Sequence, residues 1–232
     1  ILLLVFAPYG QAKQAPVAMQ QDDMTFRLDQ QYGGKWHDVE KLQNNKGDDW
    51  LCWAATAANV LAWTGWGQVA GFTNEDTIFE HFTHNWTDNP SGSPRESWRW
   101  WFNGENRSKG GAQVQPGTGG FWKNITFPDH QWARPQDAIF VGIGQGMLQR
   151  QPLVLRDLLQ NGYGISLQIT RPTGEEDRDS HMITLWGYEY DKENPFKAII
   201  ITDSDDQKKE AEPKDELQIF PVTLQDGFWW FS

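Results

Sequence analysis

An α+β fold in one domain is what this sequence predicts, on three observations. Apolar residues recur at helical spacing through the first half, strand-like alternation and β-branched runs fill the last third, and no internal repeat divides the chain. The 232 residues are enough for one well-buried domain or two small lobes. Fourteen tryptophans suit a core built from large rings, a carbohydrate-binding surface or a membrane-interface belt, of which core packing is the plainest.

Taken in order, Ile1-Leu2-Leu3-Leu4-Val5-Phe6-Ala7 is an apolar run broken by Pro8 and followed by the small-x-small pattern Gly10-Gln11-Ala12. This reads as the end of a signal peptide over residues 1–12, with an uncleaved membrane anchor as the alternative. Residues 13–23, rich in Gln, Ala and Pro, read as a linker, and residues 24–232 as the folded domain. No other stretch approaches the roughly 20 apolar residues that span a bilayer. A secreted or extracellular protein is expected.

Asp48-Asp49 supply capping carboxylates for a helix that runs from Cys52 through an Ala-rich stretch to Trp63 and is ended by Gly65 and Gly67. A second helix is expected over Asn74 to His84 and a third, heavily aromatic one over Arg95 to Phe102. The Gly-rich stretch from Gly104 to Gly120 has no core pattern and reads as a mobile loop suited to substrate contact. A short helix over Val154 to Gln160 follows. Strands are then expected over Tyr163 to Thr170, His181 to Tyr190 and Ala198 to Thr202, with further candidates over Leu217 to Val222 and Gly227 to Phe231.

The formal net charge of −11, with no basic stripe to offset it, argues against nucleic acid and anionic membranes as partners. A single cysteine, Cys52, excludes an internal disulfide and is either an inert buried thiol or a reactive one. Its place in the first turn of a helix favours the thiolate form, because free N–H groups and the positive end of the helix dipole lie beside the sulfur.

A thiol nucleophile also needs an imidazole to carry its proton and a third group to hold the ring. If the strands carrying His181 and Asp203 form a hairpin centred at residue 192, inside the Asp191 to Asn194 turn, these two side chains lie opposite each other on one face. Asp203-Ser204-Asp205-Asp206 could otherwise be an acidic strand cap or the start of a calcium loop. The latter fails where Lys208 and Lys214 replace the required Gly and Glu. His81 and His84 lack the zinc-protease spacing, His37 and His130 read as surface or partly buried residues, and Gly142 to Gly146 reads as a turn.

Four blocks carry a family resemblance: Trp36-His37-Asp38-Val39-Glu40-Lys41, Asp48 to Asn59 around Cys52, His181 to Gly187, and Ala198 to Asp205. In this order they resemble the streptococcal immunoglobulin-degrading cysteine proteases of the IdeS/Mac family. The resemblance implies a papain-like fold with Cys52 as nucleophile, His181 as general base and acid, Asp203 as the orienting carboxylate and Asp205 as an auxiliary acid. It also implies an oxyanion-hole lysine, matched by Lys41, with Lys46 a rival at the spacing papains use. Trp53 stands where the family has Gly after the nucleophile. The activity implied is thiol-dependent cleavage of a protein substrate, immunoglobulin G among the candidates, without metal or organic cofactor. A catalytically silent secreted module that binds protein or glycan on the same scaffold is the alternative, and acyl transfer to another amine is a third.

Overall fold

The computed structural model describes residues 2–6, 25–41, 47–107, 110–121, 139–142, 151–172, 178–207, 214–225 and 228–231. The first half holds strands β1 (Leu2–Phe6) and β2 (Thr25–Arg27) and helices α1 (Leu28–Tyr32), α2 (Cys52–Thr64), α3 (Trp66–Val69), α4 (Glu75–Asn85) and α5 (Pro94–Asn103). Strand β3 (Ile139–Gly142), helix α6 (Gln151–Gln160) and strands β4 (Gly164–Pro172), β5 (Arg178–Glu189), β6 (Ala198–Thr202), β7 (Gln218–Gln225) and β8 (Phe228–Phe231) follow. Helices and an antiparallel sheet make this a mixed α+β architecture.

Helix α2 joins the two halves. Its small residues Ala54, Ala57 and Ala58 are fully buried, and the helix is apolar almost all round, as a helix packed on every side must be. One side meets an aromatic cluster supplied by α4 and α5, including Phe82, Trp98, Trp100 and Trp101. The other side meets the sheet, where Val60 and Trp63 close over Gly164 at the start of β4. Trp53, Trp63, Trp66, Trp86, Trp98, Trp100, Trp101 and Trp186 are buried, so most of the tryptophans build the core.

The caps follow the residues. Helix α4 starts with a reciprocal capping box between Asn74 and Thr77, α5 starts at Ser93 with Pro94 in its first turn, and α2 ends at Gly65 in the left-handed conformation (φ 79°). Gly67 does not end α2; it lies in α3, packed beneath Ile78. Gly92 lies so close to the Trp53 ring that an added Cβ would overlap it. Gly92→Ala is therefore expected to lower stability by about 1–3 kcal/mol, read by urea denaturation, because the ring is wedged behind the start of α2.

The sheet runs β3-β1-β4-β5-β6-β7-β8, all antiparallel, with β2 also paired to β5. Leu2–Phe6, expected as the end of a leader, forms β1 between β3 and β4. A short all-apolar run suits a strand as well as a leader core. The linker expected at residues 13–23 lies outside the described residues. So do Lys46, His130 and residues 143–146 of the expected glycine turn. Among the described residues no helix is long and apolar enough to cross a membrane.

The loop after α5 is not the slack segment its composition suggests. Backbone bonds from Thr87 to Gln113 (2.8 Å), Gln115 to Asn85 (2.9 Å) and Gly120 to Trp100 (2.9 Å) lace it over the helices. His81 Nε2 donates to the Thr118 carbonyl at 2.9 Å and the ring stacks on Trp100, which makes it part of the aromatic core.

Candidate active site

Cys52 opens α2 and is half-buried. The N-cap of this helix is Leu51 rather than Asp48 or Asp49, and Leu51 supplies no side-chain cap. Asp48 instead accepts the Leu51 N–H through its carbonyl (3.0 Å), forming a turn that feeds the chain into the helix. The positive end of α2 thus lies beside the sulfur.

His181 lies on β5, paired with Ile169 of β4 on one side. Its register with β6 differs from the expected hairpin. Near the site the pairs are Thr184 with Thr202 and Leu185 with Ile201, while beyond Trp186 they are Gly187 with Ile200 and Tyr188 with Ile199. Trp186 is therefore one extra residue, a β-bulge. Without it the outer register would set His181 level with Asp206 and turn it away from Asp203, since a one-residue slip exchanges the faces of a strand. With it, His181 falls level with Asp205 and shares a face with Asp203. The hairpin centre is thus displaced from residue 192, but by an amount that preserves the face.

Asp203, just past the end of β6, reaches diagonally so that its Oδ1 lies 2.6 Å from His181 Nε2. The same oxygen accepts the Asp205 N–H at 3.0 Å, which fixes the carboxylate within the turn. With Nε2 engaged, Nδ1 is the ring nitrogen left for Cys52, and Asp205 Oδ2 lies 3.6 Å from it. Burial opposes charge on His181, but hydrogen bonds to Asp203 and Cys52 and the charge of both outweigh it and push the imidazole up to about 9.

Lys41 is 1 % exposed. Its Nζ donates to the Asp49 carbonyl at 2.9 Å and pairs with Asp205 Oδ1 at 2.8 Å, and its backbone N–H donates to the Ser204 carbonyl at 3.0 Å. Among the described residues these two partners leave one of the three ammonium protons over. The structure therefore brings Cys52, His181, Asp203, Lys41 and Asp205 into one cluster.

Sequence reasoning missed the polar links that hold this cluster in register. Asn59, midway along α2, accepts from the Val39 N–H at 3.0 Å and donates to Thr184 at 3.0 Å. Thr202 accepts from Trp186 Nε1 (3.0 Å) and donates to the His37 carbonyl (3.1 Å). These bonds tie the nucleophile helix, the Lys41 segment and both strands together. An Asn inside an otherwise apolar helix was the available signal. His37 is buried, and its Nδ1 lies 2.9 Å from Glu75. Burial would raise the Glu75 carboxyl, but this pairing and its own backbone N–H hold it at about 2.

A further group of carboxylates, Asp38, Glu40 and Asp206, sits behind Lys41 and the 203–206 turn. Burial, with mutual repulsion added, pushes Asp38 up to about 8 and Glu40 up to about 9.

Residues 159–219 match the model of a protein family described as Mac 1. The similarity is confined to this segment. That segment includes His181, Asp203 and Asp205, while Lys41 and Cys52 precede it. An IgM protease of Streptococcus suis (strain P1/7) is 52 % identical over 31 residues, which cover 13 % of this chain and 3 % of that protein. The chain spans only a small part of the length of that curated relative.

Proposed function

We propose that this protein is a secreted cysteine endopeptidase of papain-like type, acting on immunoglobulin or another extracellular protein. The observation that carries the reading is His181, held by Asp203 through Nε2 and with its charged form favoured by Cys52 at the start of α2. The Mac-1 match and the similarity to an IgM protease support the choice of substrate class.

The chemistry follows from the geometry. With His181 as imidazolium, the Cys52 thiolate attacks the scissile carbonyl carbon, and the carbonyl π pair moves onto oxygen as the C–S bond forms. The Cys52 backbone N–H and the remaining Lys41 proton hold that oxyanion. The oxyanion collapses, the C–N bond breaks, and His181 gives its proton to the departing amine. Neutral His181 then takes a proton from water, whose oxygen attacks the thioester, and the thiolate leaves with the acid product free. Asp203 keeps the ring oriented throughout, and Asp205 holds Lys41 in place.

Lys41→Met is expected to lower kcat by about 100- to 1000-fold with little change in KM, as loss of one oxyanion donor does. An unchanged kcat in steady-state assays would remove Lys41 from the mechanism. The function itself is tested by incubating the full chain with immunoglobulin M, immunoglobulin G and casein and sequencing the fragments. Cleavage by wild type and none by Cys52→Ala is expected. Binding without cleavage by either would favour the silent-module reading instead.

A further inference from the structure

The peptidase reading leaves one buried cluster without a role. Asp38, Glu40 and Asp206 each bring a carboxylate oxygen to within 4.8 Å of the other two. Asp38 is 1 % exposed; its Oδ2 accepts the Glu216 N–H at 3.1 Å, but its Oδ1 is buried with no hydrogen-bond partner. Among the described residues, both Glu40 oxygens and Asp206 Oδ1, like Asp38 Oδ1, find no hydrogen-bond donor, while Asp206 Oδ2 accepts from Gln218. Ionised carboxylate oxygens only accept, so at this spacing the three cannot all carry charge unless a cation stands between them. Lys41, next to Glu40, is turned to Asp205 and the Asp49 carbonyl instead. Asp215 and Glu216 add to the negative field.

We propose that Asp38, Glu40 and Asp206 form a calcium site that clamps the 203–206 turn and the 214–218 segment onto residues 37–41. Calcium bonds oxygen at 2.3–2.6 Å, so oxygens on opposite sides of the ion lie about 4.6–5.2 Å apart, and the observed spacing fits within that reach. Its irregular six- to eight-fold coordination leaves room for water beside three carboxylates. The arrangement draws its ligands from two distant parts of the chain and is unlike a calcium-binding helix–loop–helix, whose glycine and glutamate positions hold Lys208 and Lys214 here. The ion takes no part in bond cleavage, and the inference does not depend on the peptidase reading. It would brace the turn that carries Asp203 and Asp205 against the segment that carries Lys41.

The test is titration calorimetry with calcium chloride on the full chain stripped with EDTA, together with thermal unfolding. One saturable site is expected, with Tm rising by about 5–10 °C once calcium exceeds its Kd about a hundredfold. Glu40→Gln and Asp206→Asn should each weaken binding by at least about tenfold, because affinity follows ligand charge. Without calcium both variants should melt no lower than wild type, since each relieves repulsion. Wild type that shows neither heat nor a Tm change at millimolar calcium overturns the proposal and leaves the three carboxyls sharing protons. Binding that persists undiminished in both variants also overturns it, by placing the ion elsewhere.

Discussion

Cys52→Ala is expected to lower kcat on the order of 10⁶-fold, the scale on which a covalent enzyme loses its nucleophile. The variant removes one sulfur from a half-buried position at a helix start, so its fold and substrate binding should survive. His181→Ala should cost a similar factor, and combining the two should add little, because nucleophile and base act as one unit. A double variant whose loss multiplied the single losses would mean that the two side chains serve separate steps.

Asp203→Asn is expected to cost on the order of 10⁴-fold in kcat. The amide can still sit beside Nε2, but it no longer supplies the charge that favours the imidazolium. The sign of the pH effect follows from the raised value of about 9 on His181. The stabilisation this proton brings is complete below the ordinary histidine value near 6.5 and is lost as pH rises through about 9. In Asp203→Asn the upper limit of that window should fall toward the ordinary value, and a pH profile of kcat would show it. An upper limit that stayed in place would assign the shift to another group.

The nucleophile helix was legible because Ala-rich periodicity ending at Gly65 admits little else, and α4 and α5 because their apolar and aromatic residues recur at helical spacing, while the caps at Asn74 and Ser93 went unread. The shared face of His181 and Asp203 was legible too, but the register was not. A bulge at Trp186 leaves no mark in the alternation of a strand whose residues are buried on both faces. The expected cap from Asp48-Asp49 failed because Leu51 intervenes and the turn is closed by backbone instead. The Gly-rich loop misled because composition reports the absence of a core pattern and says nothing of the backbone bonds that fasten a loop. The Asn59 and Thr202 links and the Asp38–Glu40–Asp206 group join residues far apart in the chain, and only the fold brings them together.

The central claim is that His181 activates Cys52, and the rate of iodoacetamide alkylation between pH 5 and 9 tests it most directly. Because the chain has one cysteine, every label reports that site. Wild type should alkylate at pH 6 at least about tenfold faster than free cysteine, whose thiol ionises near 8.5, while His181→Ala should follow the free amino acid across the range. Wild type that merely tracked free cysteine at every pH would contradict the claim and leave Cys52 an ordinary thiol at the end of a helix.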